Sequence, residues 1–372
     1  MAKKVIYGES QDMELIFRQF RSEGGCNSFI FADAKTRQAC IIDPRADEVD
    51  SYESFVHSRK LDVRYAIDTH THADHYSGTH LIADRLGAAI VMSAQTKSAR
   101  PSLKLKDGQT LELSSGFAIE ALYTPGHTPD SVSFLFRGDW GSAVFTGDTL
   151  FIGSSGRTDF PEADASEQYE SIYNRLGKLE DSTWVLPGHD YSNLLFSTIG
   201  CEKKTNPHYL FADKEAFVRM KKTEALEVSG VVPHIVEFNL HSKPSNRPRS
   251  GAHTMCSSGC VAADATMARN SVAEFSEALR AEKNRGALFL DVREPEELKM
   301  GFIPGTENLP LSELFMHWRE LQSASKVYIT CQRGNRSQFA AQTLMRLGLR
   351  HVVNVDGGFL AWAAAQLPIQ RS

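Results

Sequence analysis

The stretch DTHTHADHYSG, residues 68–78, places three histidines and two aspartates in the eight positions from Asp68 to His75. It follows directly on the apolar-leaning run VRYAI (63–67). A turn so dense in imidazole and carboxylate needs partners from elsewhere in the chain. A fold that gathers strand ends on one rim of a sheet supplies them. His127 lies in TPGHT (124–128), Asp148 in SAVFTGDTLF (142–151) and His189 in TWVLPGHDYS (183–192), each at the end of a predicted strand. With His70, His72, Asp74 and His75 they make seven candidate ligands. All are nitrogen or oxygen donors suited to zinc or iron. They could hold two ions around a bridging water for hydrolysis, or one iron on a face of two histidines and a carboxylate with open positions. Spacing alone leaves both open.

Short β-like runs such as ACIIDPR (39–45) and SVSFLF (131–136) alternate with loops and helices up to about residue 200. THLIADRL (79–86) and EQYESIYNRL (167–176) suit amphipathic helices. The stretch 241–266 is rich in Ser, Pro, Arg and small residues and reads as an interdomain linker. Beyond it, GALFLDVRE (286–294), SKVYITCQRGNRS (325–337), QFAAQTLMRLG (338–348) and HVVNVDGG (351–358) alternate strand and helix, the pattern of a parallel α/β sheet. Two domains are expected, over 1–240 and 265–372, joined by a linker over 241–264.

With 41% hydrophobic residues and a net charge of -5, the chain has ample core but no basic footprint for nucleic acid and no polybasic membrane patch. No apolar run approaches the roughly 20 residues that span a bilayer, and the N-terminus lacks the apolar core of a signal peptide. Six cysteines without regular spacing do not form a disulfide framework, so a cytoplasmic, reducing location is expected.

THTHADH matches the H-x-H-x-D-H signature, and residues 1 to about 240 resemble the metallo-β-lactamase superfamily. The resemblance implies an αββα sandwich with the metal at the open edge between two sheets. SGRTDF (155–160), PGHDY (187–191), EKKTNP (202–207) and TPGHTPDSVSF are similar to the persulfide dioxygenase branch. That likeness implies one Fe(II) per chain held by His70, His127 and Asp148, with His72, Asp74, His75 and His189 orienting those ligands by hydrogen bonds. It also implies oxidation of glutathione persulfide by O2 to sulfite and glutathione. Arg157 can grip a carboxylate of the substrate with two parallel N–H bonds, and Tyr191 is placed to donate an O–H near the metal. The rival expectation is a glyoxalase-II-like thioester hydrolase with two metal ions.

CQRGNRS (331–337) sets a cysteine at a strand end before a helix, where loop N–H groups and the helix dipole favour a thiolate, with Arg333 and Arg336 adding positive charge. With LDVREPEE (290–297) and GFIPGTENLPL (301–311), this loop resembles a rhodanese (sulfurtransferase) domain over about 265–372. The resemblance implies that Cys331 carries sulfane sulfur as a persulfide between thiosulfate or sulfite and glutathione. Arg336, joined by Arg333, would bind the anionic donor, and Asp291 and Arg293 would form a structural pair. Cys26 and Cys40 read as core, Cys201 as a loop thiol, and Cys256 and Cys260 as free linker thiols. The sequence leaves the oligomeric state open; the resemblance admits a homodimer.

Overall fold

Along Asn27–Asp33 every side chain is buried, and the two faces are filled differently. Phe29 and Phe31 meet Phe145 and Phe136, with ring centroids 5.1 and 4.6 Å apart. Ile30 and Ala32 join a cluster with Tyr52, Val56 and Ile82. A strand buried on both faces needs a layer on each side. A second sheet covers one face, and the helices Val49–Arg59 and Thr79–Leu86 cover the other. Each fully buried phenylalanine in this seam contributes roughly 1.5–3 kcal/mol.

The computed structural model describes residues 15–371 except 23, 139, 192–193, 225–231, 242–266, 283–284 and 312. Among the described residues the chain divides into two units. The first holds two six-stranded sheets. One runs in chain order: β1 (Leu15–Arg21), β2 (Asn27–Asp33), β3 (Gln38–Ile42), β4 (Asp62–Ile67), β5 (Ala89–Ser93) and β6 (Leu103–Leu105). Its pairings are antiparallel from β1 to β3 and parallel from β3 to β6. The other comprises β7 (Thr110–Ser114), β8 (Phe117–Tyr123), β9 (Val132–Gly138), β10 (Gly141–Gly147), β11 (Trp184–Pro187) and β12 (Ser197–Thr198). Its outer face is sealed by Ile172, Leu176, Ile199 and Phe217 against Leu122, Leu135, Val144 and Val185. This is the expected αββα sandwich.

The second unit holds β13 (Ala268–Asn270), β14 (Ala287–Asp291), β15 (Glu307–Asn308), β16 (Lys326–Thr330) and β17 (Val352–Val355) in the order β13-β17-β16-β14-β15. All its pairings are parallel, as expected. Phe289 stacks on Tyr328 at 4.9 Å, and Phe275 packs beside both. The linker expected over 241–264 lies outside the described residues except for His241. No helix of the described residues is long and apolar enough to cross a membrane.

Candidate metal centre and thiol loop

The loop after β4 carries His70 to His75, the turn between β8 and β9 carries His127, and the ends of β10 and β11 carry Asp148 and His189. Ligand-capable atoms of His70, His127 and Asp148 lie within 4.8 Å of one another, and all three residues are buried. His127 Nδ1 is 2.8 Å from the Arg157 carbonyl oxygen. A carbonyl only accepts, so His127 is protonated at Nδ1 and turns the Nε2 lone pair inward, 3.7 Å from Asp148 Oδ2. His70 Nδ1 is 3.0 Å from Thr69 Oγ1, while its Nε2 is buried without a hydrogen-bond partner. Leaving such a nitrogen bare costs about 1–3 kcal/mol, which an ion would remove.

Burial, reinforced by the nearby charge of His72, holds His70 well below the usual imidazole value. It is therefore neutral, the form that ligates. Burial pushes Asp148 upward, but the charge and hydrogen bond of His189 outweigh it, and the carboxylate stays ionised. Two imidazoles and one carboxylate fit an iron- or zinc-type divalent ion.

Of the other four cluster members, His72, Asp74 and His75 bind one another or more distant groups, and His189 bonds a member of the trio, Asp148. His72 Nε2 faces Asp43 Oδ1 at 3.2 Å and Asp68 Oδ1 at 3.6 Å. Burial opposes its protonation, but the Asp43 and Asp68 carboxylates hold it well above the usual value. His189 bridges Asp148 Oδ1 (2.8 Å) and Asp74 Oδ2 (3.0 Å), and His75 Nδ1 lies 2.8 Å from that same Asp74 oxygen. Cys26, expected in the core, is buried but not in apolar company. Its thiol donates to Asp74 Oδ2 at 3.4 Å, and Cys26, Asp74 and His75 form a second group able to hold an ion. Burial would raise the Cys26 thiol, but His189 brings it down to about 6.

Arg157 spends Nε and Nη2 on Asp159 at 2.6 and 2.7 Å and lies over the Phe160 ring at 4.5 Å. Phe160 in turn meets His127 edge-on. Tyr191 stacks on His189, with planes 6° apart and centroids 5.6 Å apart.

In the second unit, Cys331 follows β16 and is 1% exposed. Its sulfur accepts the Gly334 N–H at 3.1 Å and the Ser337 hydroxyl at 3.4 Å. Gly334 caps the helix Asn335–Arg346 at φ 93°. The Cys331 carbonyl accepts from Phe359 N–H at 2.8 Å. Gly358 crosses so closely that a Cβ would sit 2.2 Å from that carbonyl oxygen, at φ +55°, where only glycine fits easily. Arg336 forks onto Glu297 with two contacts of 2.6 Å, and Arg333 is exposed. Arg293 is buried on Asp291 and reaches Gln332, the neighbour of Cys331, at 3.2 Å.

Cys26, Asp43 and Asn239 belong to the surroundings of the metal centre without a motif that singles them out, and Asp68, at the head of the histidine cluster, braces His72. Cys26 pairs with His189 through an isolated β-bridge. Asn239 lies on the helix Val232–His241 and bonds the loop after β4.

Two family models match the chain: the metallo-beta-lactamase superfamily over residues 21–189 and the rhodanese-like domain over residues 271–365. The mitochondrial persulfide dioxygenase ETHE1 of Homo sapiens is 30% identical over 207 residues, covering 55% of this chain and 80% of that protein. The crystal structure of ETHE1 from Myxococcus xanthus is 34% identical, with a TM-score of 0.57, over 60% of this chain and 97% of that one. A metallo-beta-lactamase structure from Staphylococcus aureus covers 91% of this chain and 98% of its own. At 23% identity and a TM-score of 0.58, that likeness is one of fold.

Proposed function

Because the chain belongs to the metallo-β-lactamase superfamily and carries a C-terminal rhodanese-like domain, we propose that it joins two steps of sulfur chemistry. The first unit oxidises glutathione persulfide with one O2 and one water to glutathione and sulfite. The second moves sulfane sulfur between thiosulfate or sulfite and glutathione. The convergence of His70, His127 and Asp148, with His72 engaged by Asp43 and Asp68 and His189 spanning Asp74 and Asp148, carries the first assignment.

A ferrous ion, which His70, His127 and Asp148 would hold, would supply the redox chemistry that brings dioxygen to the persulfide sulfur. The chain's own residues prepare that encounter. The Arg157 carbonyl keeps the His127 Nε2 lone pair facing inward, and His189 fixes one oxygen of Asp148. Arg157, steadied by Asp159, meets a carboxylate of glutathione, and Tyr191 donates to the substrate beside His189.

In the second unit the Cys331 thiolate attacks the outer sulfur of thiosulfate. The S–S bond breaks, sulfite leaves with the bonding pair, and Cys331 is left as a persulfide. A glutathione thiolate then takes the sulfane sulfur, releasing the Cys331 thiolate and glutathione persulfide. The Gly334 N–H and the Ser337 hydroxyl meet the sulfur's negative charge before and after. Arg336 and Arg333 attract the anionic donor, Arg336 by sharing its bond to Glu297.

Metal analysis of the purified protein beside an oxygen-electrode trace tests the assignment. The expected result is one iron per chain and O2 uptake with glutathione persulfide that yields sulfite. The second reading, a two-metal thioester hydrolase, draws on the Cys26, Asp74 and His75 group. Two ions per chain and thioester cleavage without O2 uptake would replace the first reading with it.

A further inference from the structure

The loop that delivers His70 is pinned near both ends. Asp43 accepts the Thr69 N–H at 2.7 Å, and Asp130 accepts the Thr71 hydroxyl at 2.6 Å. At the far end Ala46 N–H donates to Tyr76 O at 2.9 Å, and Gly78 N–H to Pro44 O at 2.6 Å. Between these pins, the turn at residues 72–75 is held from across the fold. Asn239 Nδ2 donates to the carbonyls of His72 and His75, both at 2.9 Å. Its Oδ1 accepts the Ser77 N–H at 2.9 Å. One side chain, more than 160 positions away, thus clamps three backbone groups of the ligand loop.

Apolar packing does not explain the choice of residue. The buried positions of Val232–His241 are Ile235 and Asn239, one turn apart on the same stripe. Asparagine is a poor helix former, and an amide costs free energy to bury unless it is bonded. The hydrogen bonds to the loop offset both penalties. They also lead onward. The clamped turn carries Asp74, whose Oδ2 meets His189 Nε2 at 3.0 Å, and His189 Nδ1 meets Asp148 Oδ1 at 2.8 Å.

We infer that Asn239 is a positioning residue of the metal centre: it fixes the turn at residues 72–75, and through Asp74 and His189 it sets the Asp148 carboxylate. The inference rests on the reading of His70, His127 and Asp148 as ligands, but not on the identity of the ion or the reaction.

The test compares wild type, Asn239→Asp and Ile235→Ala in the full chain. Each is stripped with a chelator and titrated with Zn2+ and, anaerobically, with Fe2+, and the melting temperature of each stripped protein is recorded. The aspartate keeps the acceptor for Ser77 N–H but turns an oxygen toward two carbonyls. Metal affinity is expected to fall roughly 10–100-fold. Ile235→Ala loosens the same helix without touching the loop's hydrogen bonds, and its metal affinity is expected to change less than about threefold. Unchanged affinity in Asn239→Asp, or an equal loss in Ile235→Ala, overturns the inference and leaves the metal centre standing. A wild-type chain that takes up neither ion overturns both.

Discussion

The Nδ1 of His127 and the carbonyl oxygen of Arg157 stand 2.8 Å apart, so Arg157, whose side chain we propose for substrate, braces a candidate metal ligand with its backbone. The two contributions separate by mutation. Arg157→Ala keeps the carbonyl and loses the guanidinium. It is expected to leave metal content near one ion per chain while KM for glutathione persulfide rises roughly tenfold, about 1.4 kcal/mol. Gly156→Ala strikes the backbone instead, because its Cβ would fall 1.8 Å from the Asp148 carbonyl oxygen. Elemental analysis should find that variant depleted of metal.

His70→Ala and His72→Ala differ by two positions and should fail differently. Without His70 the centre loses a ligand, and metal content drops with modest change in the stripped protein. Without His72, Asp43 and Asp68 are left facing one another, both 2% exposed. Breaking such a buried pair costs about 3–5 kcal/mol, so thermal unfolding of the metal-free protein distinguishes the two.

Cys331→Ser is expected to abolish sulfur transfer from thiosulfate to glutathione, with O2 uptake on supplied glutathione persulfide kept within about twofold, since the two sites lie on separate sheets. Loss of both activities would contradict independent centres. Ser337→Ala removes one of the two hydrogen bonds to the sulfur and should slow transfer by roughly tenfold in kcat.

Glu224 links the metal-bearing unit to acid stability. Burial alone would raise it, but the His208 hydrogen bond and the Lys221 charge bring it down to about 2. A carboxylate lowered in the folded state stabilises the fold above its unfolded value, and that contribution is lost as pH falls from about 4.5 toward about 2. Its side chain is 41% exposed, so screening leaves about 1 kcal/mol. Glu224→Gln should flatten the fall in denaturation midpoint across that window and leave the neutral-pH slope unchanged.

The sandwich was legible because its strands end in chemistry. THLIADRL is a helix over Thr79–Leu86, and SVSFLF becomes β9 with one residue shifted at its start. Periodicity overreaches in EQYESIYNRL, where the helix Ala165–Tyr169 passes into a π-helical turn at Glu170–Arg175 and a tight turn at Leu176–Lys178. An i, i+4 pattern does not register one extra residue per turn. The strand read at ACIIDPR stops at Ile42, and Asp43 then takes φ 49° to present its carboxylate to Thr69 and His72. Cys26 and Asn239 had no local signature, because their roles rest on partners 48 to 167 positions away.

The clamp from Asn239 also orders events during synthesis. The ligand loop leaves the ribosome 162 to 167 residues before the amide that braces it. At about 5–20 residues per second that is a delay of roughly 8–30 s. During that interval the nascent histidines can meet cellular metal but not yet hold it in the finished geometry. Faithful loading therefore belongs after the helix Val232–His241 has docked.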